Sequence, residues 1–191
     1  MTAPQNSPAR PLRADARRNR ETILGAARDA FAEGGAEISM AEVARRAGVG
    51  MATLYRNFPN RPALLEALYL GNIVELARSA DDLADLAPGE ALTTWLTRFA
   101  EYFRAKSALA DELLSATGGE TTVFAESRAA IFGAAGGLLE RAQAAGEIRA
   151  DITLNQVMDL VAGVGRIQND DPTYLGQILA VALDGLRTQR G

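Results

Sequence analysis

A chain of 191 residues with neither Cys nor His has no disulfide framework, no Cys/His zinc site and no nucleophile–histidine pair. Its length allows one or two small domains with a real core, and its wealth of Ala, Leu and Arg with few β-branched runs favours helix. The net charge of −4 hides an asymmetry: residues 1–61 hold ten Arg and six acidic side chains, net +4, whereas residues 62–191 are net −8, so one end suits phosphates and the other avoids them.

Residues 1–12 contain Pro4, Pro8 and Pro11 among small polar residues and read as a disordered arm. Arg10, Arg13, Arg17, Arg18 and Arg20 crowd its end. They read equally as a basic arm for a phosphate backbone or minor groove and as the solvated start of a charged helix. A helix is expected from about Asp15 to Glu33, with Ile23, Leu24, Ala27, Ala30 and Phe31 on one side at helical spacing. Gly34-Gly35 should end it.

The stretch from Ser39 to Arg61 reads as two short helices over a tight turn and the start of a third. Ser39 is a good N-cap, and Glu42 three residues on completes an S-x-x-E capping box. Val43, Ala44 and Ala47 give a small apolar face, and Gly48 accepts the left-handed backbone that such a stop needs. Val49 plugs the corner. A second helix runs through Met51, Leu54 and Tyr55 to Phe58-Pro59. Two short helices over a glycine turn make a helix-turn-helix, whose second helix can lie in the major groove. The outward residues Gly50, Met51, Ala52, Thr53, Arg56 and Asn57 include no acid, as a surface for phosphates and base edges requires.

From Ala47 to Arg61 the string AGVGMATLYRNFPNR closely resembles the helix-turn-helix signature of the TetR family of bacterial transcriptional repressors. That pattern has an Ala-Gly-Val turn, a Thr or Ser, a hydrophobic residue, a Tyr, a Phe and a basic residue opening the next helix. The length, the helical order and the closing Leu183-Asp184-Gly185-Leu186-Arg187 extend the resemblance along nearly the whole chain. It implies a homodimer on a pseudo-palindromic operator, released by a small-molecule effector, with the fourth helix transmitting ligand state.

Within the head, the expected DNA-binding residues are Ser39, Gly50, Met51, Ala52, Thr53, Tyr55, Arg56, Asn57 and Arg61. The hydroxyls of Thr53 and Tyr55 can reach phosphate oxygens, and the resemblance supports Tyr55 in that role. Arg56 and Asn57 can reach phosphate or base edges, and Met51 a thymine methyl. Arg61 stands where the family usually has Lys, which implies a phosphate held at the next helix's start. Pro62 costs no hydrogen bond there. Arg45 and Arg46 read as backbone contacts or as solvated charges. Leu54 and Phe58 belong to the core.

A fourth helix is expected from about Arg61 to Asp82, then a linker through Pro88-Gly89. Five helical patterns follow, at 90–106, 107–116, 122–145, 154–168 and 172–188, and no strand pattern competes. Trp95, Phe99, Tyr102, Phe103, Phe124, Arg128 and Phe132 are the candidate ligand-binding residues; each aromatic can equally be plain core. Gly133, Gly136 and Gly137 suggest close packing, a bend or room for a ligand. Leu160, Val164, Ile167, Ile178, Val181, Ala182 and Leu186 are the candidate dimer surface, since the last two patterns carry more apolar residues than one face of an outer helix needs. Gly163 and Gly165 would let helices approach closely.

The reading is therefore all-α with about nine helices: an arm at 1–12, a three-helix DNA-binding head at 13–60 and a helical ligand-binding and dimerisation body at 61–191. No apolar run approaches the roughly 18 residues of a membrane span and no apolar signal core opens the chain, so a cytoplasmic protein without a membrane partner is expected. Its partners would be double-stranded DNA, an effector and a second copy. No catalytic residue, metal or cofactor is expected, because no paired-carboxylate or Gly-rich phosphate motif occurs. The alternative is a DNA-binding regulator, repressor or activator, that answers to no small molecule.

Overall fold

The computed structural model describes residues 9–34, 38–118, 122–167, 169, 171 and 173–188. Among them the secondary structure is all helical: eight α-helices and one 3-10 helix, nine elements as the sequence suggests. They are α1 (Ala9–Gly34), α2 (Met40–Arg46), α3 (Met51–Asn57), α4 (Arg61–Arg78), the 3-10 helix (Asp81–Leu83), α5 (Pro88–Thr117), α6 (Thr122–Ala144), α7 (Leu154–Gly165) and α8 (Tyr174–Asp184). By compactness the chain divides into a head, Met1–Tyr69 with Asp111–Gly118, and a body, Leu70–Ala110 with Gly119–Gly191. The division falls inside α4 and again inside α5, so the head takes in the start of α4 and the last two turns of α5 beyond residues 13–60.

Several expected limits shift. Helix α1 starts at Ala9, so residues 9–12 are helical rather than part of an arm; residues 1–8 lie outside the described residues. Pro11 does not prevent this, because a first-turn N–H has no partner within a helix. Gly35 of the expected stop lies outside the described residues. Helix α4 stops at Arg78, and a turn at 79–80 and the 3-10 helix follow in the rest of its expected span. The patterns at 90–106 and 107–116 are one helix, α5. Neither Gly nor Pro separates them, and one Ser costs a helix only a few tenths of a kcal/mol, roughly. Helix α7 ends at Gly165 and α8 spans only Tyr174–Asp184; Gln168 and Pro172 lie outside the described residues.

Local chemistry sets the head's turns. The Ser39 hydroxyl accepts the Glu42 N–H at 3.2 Å, capping α2, but the expected capping box is only half formed, because the Glu42 carboxylate turns to Arg45 and Arg46. At the other end Gly48 takes φ +65°. Its N–H donates to the Arg45 carbonyl at 3.2 Å, and the Val49 N–H to the Ala44 carbonyl at 3.0 Å. These are the two bonds of a Schellman stop. Asn60 caps α4, its Oδ1 accepting the Ala63 N–H at 2.9 Å. Ile23, Ala27, Ala30, Val43, Ala44, Leu54, Phe58, Leu64, Leu65, Leu68 and Leu113 are buried in this unit. Each fully buried leucine contributes about 1.5–3 kcal/mol, which holds α2 and α3 as one piece with α1.

In the body, α5 grips the end of α4. The Trp95 indole N–H donates to the Leu76 carbonyl at 3.0 Å, and Arg98 to the Ser79 carbonyl at 3.2 Å. A cation there also complements the helix dipole. The Glu147 carboxylate caps α5, accepting the Gly89 N–H at 2.7 Å; a Cβ at Gly89 would sit 2.7 Å from that oxygen, so a side chain there would push the carboxylate off the cap. Thr153 and Gln156 form a full capping box on α7. Gly165 brings α7 against α5, where an added Cβ would lie 3.2 Å from the Ala100 carbonyl. Gly163, Gly133 and Gly137 face open space, and a Cβ on Gly136 would only touch Leu154. Helix α6 runs through all three of its glycines.

Candidate nucleic-acid interface

Helix α3 offers an outward face in which Met51 is 38% and Tyr55 46% exposed, large values for apolar side chains in a packed unit. Gly50, Ala52 and Arg56 are exposed beside them, and Thr53 and Asn57 are half-buried. Gly50 caps the helix without a side-chain bond, leaving its first N–H groups open to an anion. The Arg56 guanidinium lies along its own helix, donating to Thr53 Oγ1 at 3.1 Å and the Ala52 carbonyl at 3.3 Å. With one lone pair so occupied, the Thr53 hydroxyl keeps its hydrogen for an outside acceptor.

Other expected contacts are engaged within the chain. Asn57 Nδ2 donates to the Thr53 carbonyl at 2.8 Å, so the amide is turned along its own helix rather than outward. Ser39 serves first as a cap, although it remains exposed. Arg45 pairs through two nitrogens with Glu42, and Arg46 bridges Glu42 and Glu33 at 2.8 and 2.6 Å. Hydrogen bonds from Arg45, then Arg46, lower the Glu42 carboxyl from 4.5 to about 2. The pairs favour solvated charges over backbone contacts for both arginines.

Arg61 departs most from expectation. Its guanidinium donates to the Ile38 carbonyl, meets Glu112 at 3.1 Å and lies over the Phe31 ring at 5.5 Å. A planar fork with five donors is well suited to such a junction, and in this state it is not turned to a phosphate. In the expected basic arm, Arg17 pairs with Glu21 and Arg18 with Asp15; the side chains of Arg10 and Arg13 lie outside the described residues. Arg20, grouped with that arm in the sequence, has a partner that sequence reasoning missed. It donates to the Asn57 carbonyl at 3.1 Å and lies 4.4 Å over the Phe58 ring, closing the end of α3. No spacing rule signals a partner 37 residues away.

The body gathers its candidates into two groups. On α5, Trp95 and Phe99 stack with planes 2° apart and centroids 5.9 Å apart, and Phe103 follows at 6.0 Å. Trp95 is fully buried, Phe99 nearly so, and Tyr102 and Phe103 are half-buried. On α6, exposed Arg128 covers the Phe132 ring at 4.3 Å, while Phe124 is half-buried. Beside them Ser127 is buried with no hydrogen-bond partner for its hydroxyl; nothing in its local pattern marks it. A groove of about 290 Å³ lies elsewhere, between Thr93, Thr94 and Thr97 of α5 and Gly176, Ala180 and Leu183 of α8.

The dimer candidates separate by exposure. Val181 is 75% exposed and Leu160 39%. Ile167, Ile178 and Ala182 are half-buried. Val164 and Leu186 are corrected: both are buried in the chain's own core, because α7 and α8 each turn one side to the body. Tyr174, exposed and four residues before Ile178, joins the stripe through Val181; its i, i+4, i+7 spacing was readable in the sequence.

A capped turn that sets a short, acid-free helix outward on a packed three-helix support is the construction of a helix-turn-helix DNA-binding regulator. Residues 23–68 match bacterial regulatory proteins of the tetR family, and residues 87–188 match the C-terminal domain of SbtR-like transcriptional regulators. A TetR transcriptional regulator from Streptomyces coelicolor is 40% identical, with 90% of this chain and 99% of that one covered and a TM-score of 0.75. A TetR transcription regulatory protein from Mycobacterium vanbaalenii is 35% identical, with 93% and 99% covered and a TM-score of 0.70. Among curated proteins none matches the chain. The chain belongs to the TetR family and is a transcriptional regulator with a helix-turn-helix DNA-binding domain. Among its described residues no helix is long and apolar enough to cross a membrane.

Proposed function

We propose that the protein is a repressor that binds a pseudo-palindromic operator as a homodimer in the cytoplasm and is released by a small molecule held in its body. The acid-free exposed face of α3 is the observation that carries this reading. Met51, Tyr55, Arg56 and the Thr53 hydroxyl meet the DNA, largely at phosphates. The heavy exposure of Val181 supports pairing through α7 and α8, and a two-fold dimer calls for a two-fold operator. The buried, unpartnered Ser127 hydroxyl supports a ligand among the body's candidates, since such a group costs about 1–3 kcal/mol until something bonds it. Release is linkage: the ligand binds the DNA-incompetent state more tightly.

The test is selection and sequencing of genomic fragments retained by the purified protein, beside Tyr55→Ala and Arg56→Ala. One inverted repeat, enriched by the unchanged chain and lost with the variants, is the expected result. A folded dimer that enriches nothing would refute the reading. The full burial of Trp95, its indole N–H already bonded to the Leu76 carbonyl, favours, as a second reading, a regulator that answers to no small molecule. An effector that binds the body and lowers operator affinity would dismiss it.

A further inference from the structure

Four separate segments of the head meet at one guanidinium. Arg61 opens α4. Its Nη1 donates to the carbonyl of Ile38, the residue before the cap of α2, and its Nε meets the Glu112 carboxylate at 3.1 Å. Its planar face lies over Phe31, near the end of α1. Both charged side chains are about one-third exposed, Arg61 at 27% and Glu112 at 31%. Glu112 lies far along the chain, in the last stretch of α5, and that stretch belongs to the head by compactness. The Glu42 cluster reaches less far: Arg45 pairs with Glu42 inside α2, and Arg46 links Glu42 to Glu33 at the end of α1 alone.

We infer that Arg61 and Glu112 are positioning residues for DNA recognition: together they pin the start of α2 to the start of α4 and to the last two turns of α5, and Arg61 does not itself hold a phosphate. The inference rests on the head's binding DNA. The carbonyl of Ile38 is the last acceptor before Ser39, so holding it fixes where α2 begins and, through the Gly48 turn, where α3 points. A lysine would supply charge without the fork that reaches carbonyl and carboxylate together. Without the pin, a smaller fraction of heads has the geometry that fits the groove, and the apparent dissociation constant rises by that fraction.

The two roles open to Arg61 differ in salt dependence. A phosphate contact adds about one to the slope of log affinity against log salt, whereas a positioning residue adds nothing. The experiment measures binding of a duplex carrying the enriched inverted repeat, across a salt series, for the unchanged chain, Glu112→Gln, Arg61→Lys, the charge-removing Arg61→Gln and the Glu112→Gln/Arg61→Lys double variant. Glu112→Gln, near-isosteric and partly exposed, is the variant expected to keep its fold, and its thermal unfolding is followed alongside. Each single variant should weaken binding roughly tenfold with the slope unchanged, and the double variant should be no weaker than either, as for two halves of one device. The inference is overturned if Glu112→Gln binds as tightly as the unchanged chain or more so. It is also overturned if Arg61→Lys keeps full affinity, if Arg61→Gln lowers the slope by about one, or if the losses add. An unchanged chain that retains no duplex refutes the DNA reading itself, which is a separate result.

Discussion

Helices α3 and α8 are both short, and both expose large apolar side chains, yet the chemistry around those side chains differs. On α3 the exposed Met51 and Tyr55 sit among Gly50, Ala52, Thr53 and Arg56. On α8 the stripe Tyr174, Ile178 and Val181 is nearly free of polar groups, and Val181 is 75% exposed. A face of hydroxyl, guanidinium and bare backbone suits a wet, negatively charged surface. An aliphatic stripe gains only from a dry one, such as the same stripe on a second copy. Exposure alone does not name a partner; the polar groups around it do.

The comparison can be broken most sharply at Val181. If α8 meets a second copy, Val181→Asp traps an unpaired carboxylate in the contact and weakens the dimer by more than about 3 kcal/mol. Sedimentation velocity should then show monomers, with operator binding lost as a consequence. An intact dimer would place the interface elsewhere.

A substitution on α3 should do the opposite. Arg56→Ala is expected to leave the dimer whole and to weaken operator binding roughly tenfold, in the range of one lost side-chain contact to DNA. Arg45→Ala, its charge already matched by Glu42, should leave binding nearly unchanged. Equal losses in the two variants would show that net charge, rather than the face of α3, governs binding.

The setting of α3 depends on Gly48. An alanine there keeps φ +65° only at a cost of about 1–2 kcal/mol, read as a lower urea midpoint. No neighbour lies within 4 Å of the added Cβ, so the cost is backbone strain alone. An unchanged midpoint would mean that the turn relaxes without loss.

The smallest effect concerns Glu42. Its carboxyl is held at about 2 rather than 4.5 by hydrogen bonds from Arg45 and Arg46. A folded-state value below the unfolded one stabilises the fold above pH 4.5, and that contribution disappears as pH falls toward 2. Glu42→Gln should therefore be slightly less stable than the unchanged chain at pH 7 and should converge with it in acid. The pair is solvent-exposed, so salt should shrink the gap as well. A gap that is the same at pH 2.5 and pH 7 would assign it to packing.

Much of the head was legible because its determinants are local. Ser39 and Glu42 are three residues apart, Gly48 follows α2 directly, and the face of α3 repeats with the helical period. Each such feature acts within one turn of chain, so residue order alone settles it. The same holds for the all-helical class, which follows from propensity and period.

What tertiary structure decided is which partner each long side chain takes and which side of each helix is covered. The charge and reach of Arg61 suit a phosphate as well as they suit Ile38 and Glu112; only the approach of α5 selects the second. Val164, Leu186 and Val181 carry the same apolar signal, yet two are buried in the chain and one stands out from it. Period tells that a helix has an apolar side, but its coverage depends on residues far away in sequence. The partner of Arg20 and the isolation of Ser127 were invisible for the same reason: a contact 37 residues distant, or the burial of a lone hydroxyl, exists only once the helices have packed.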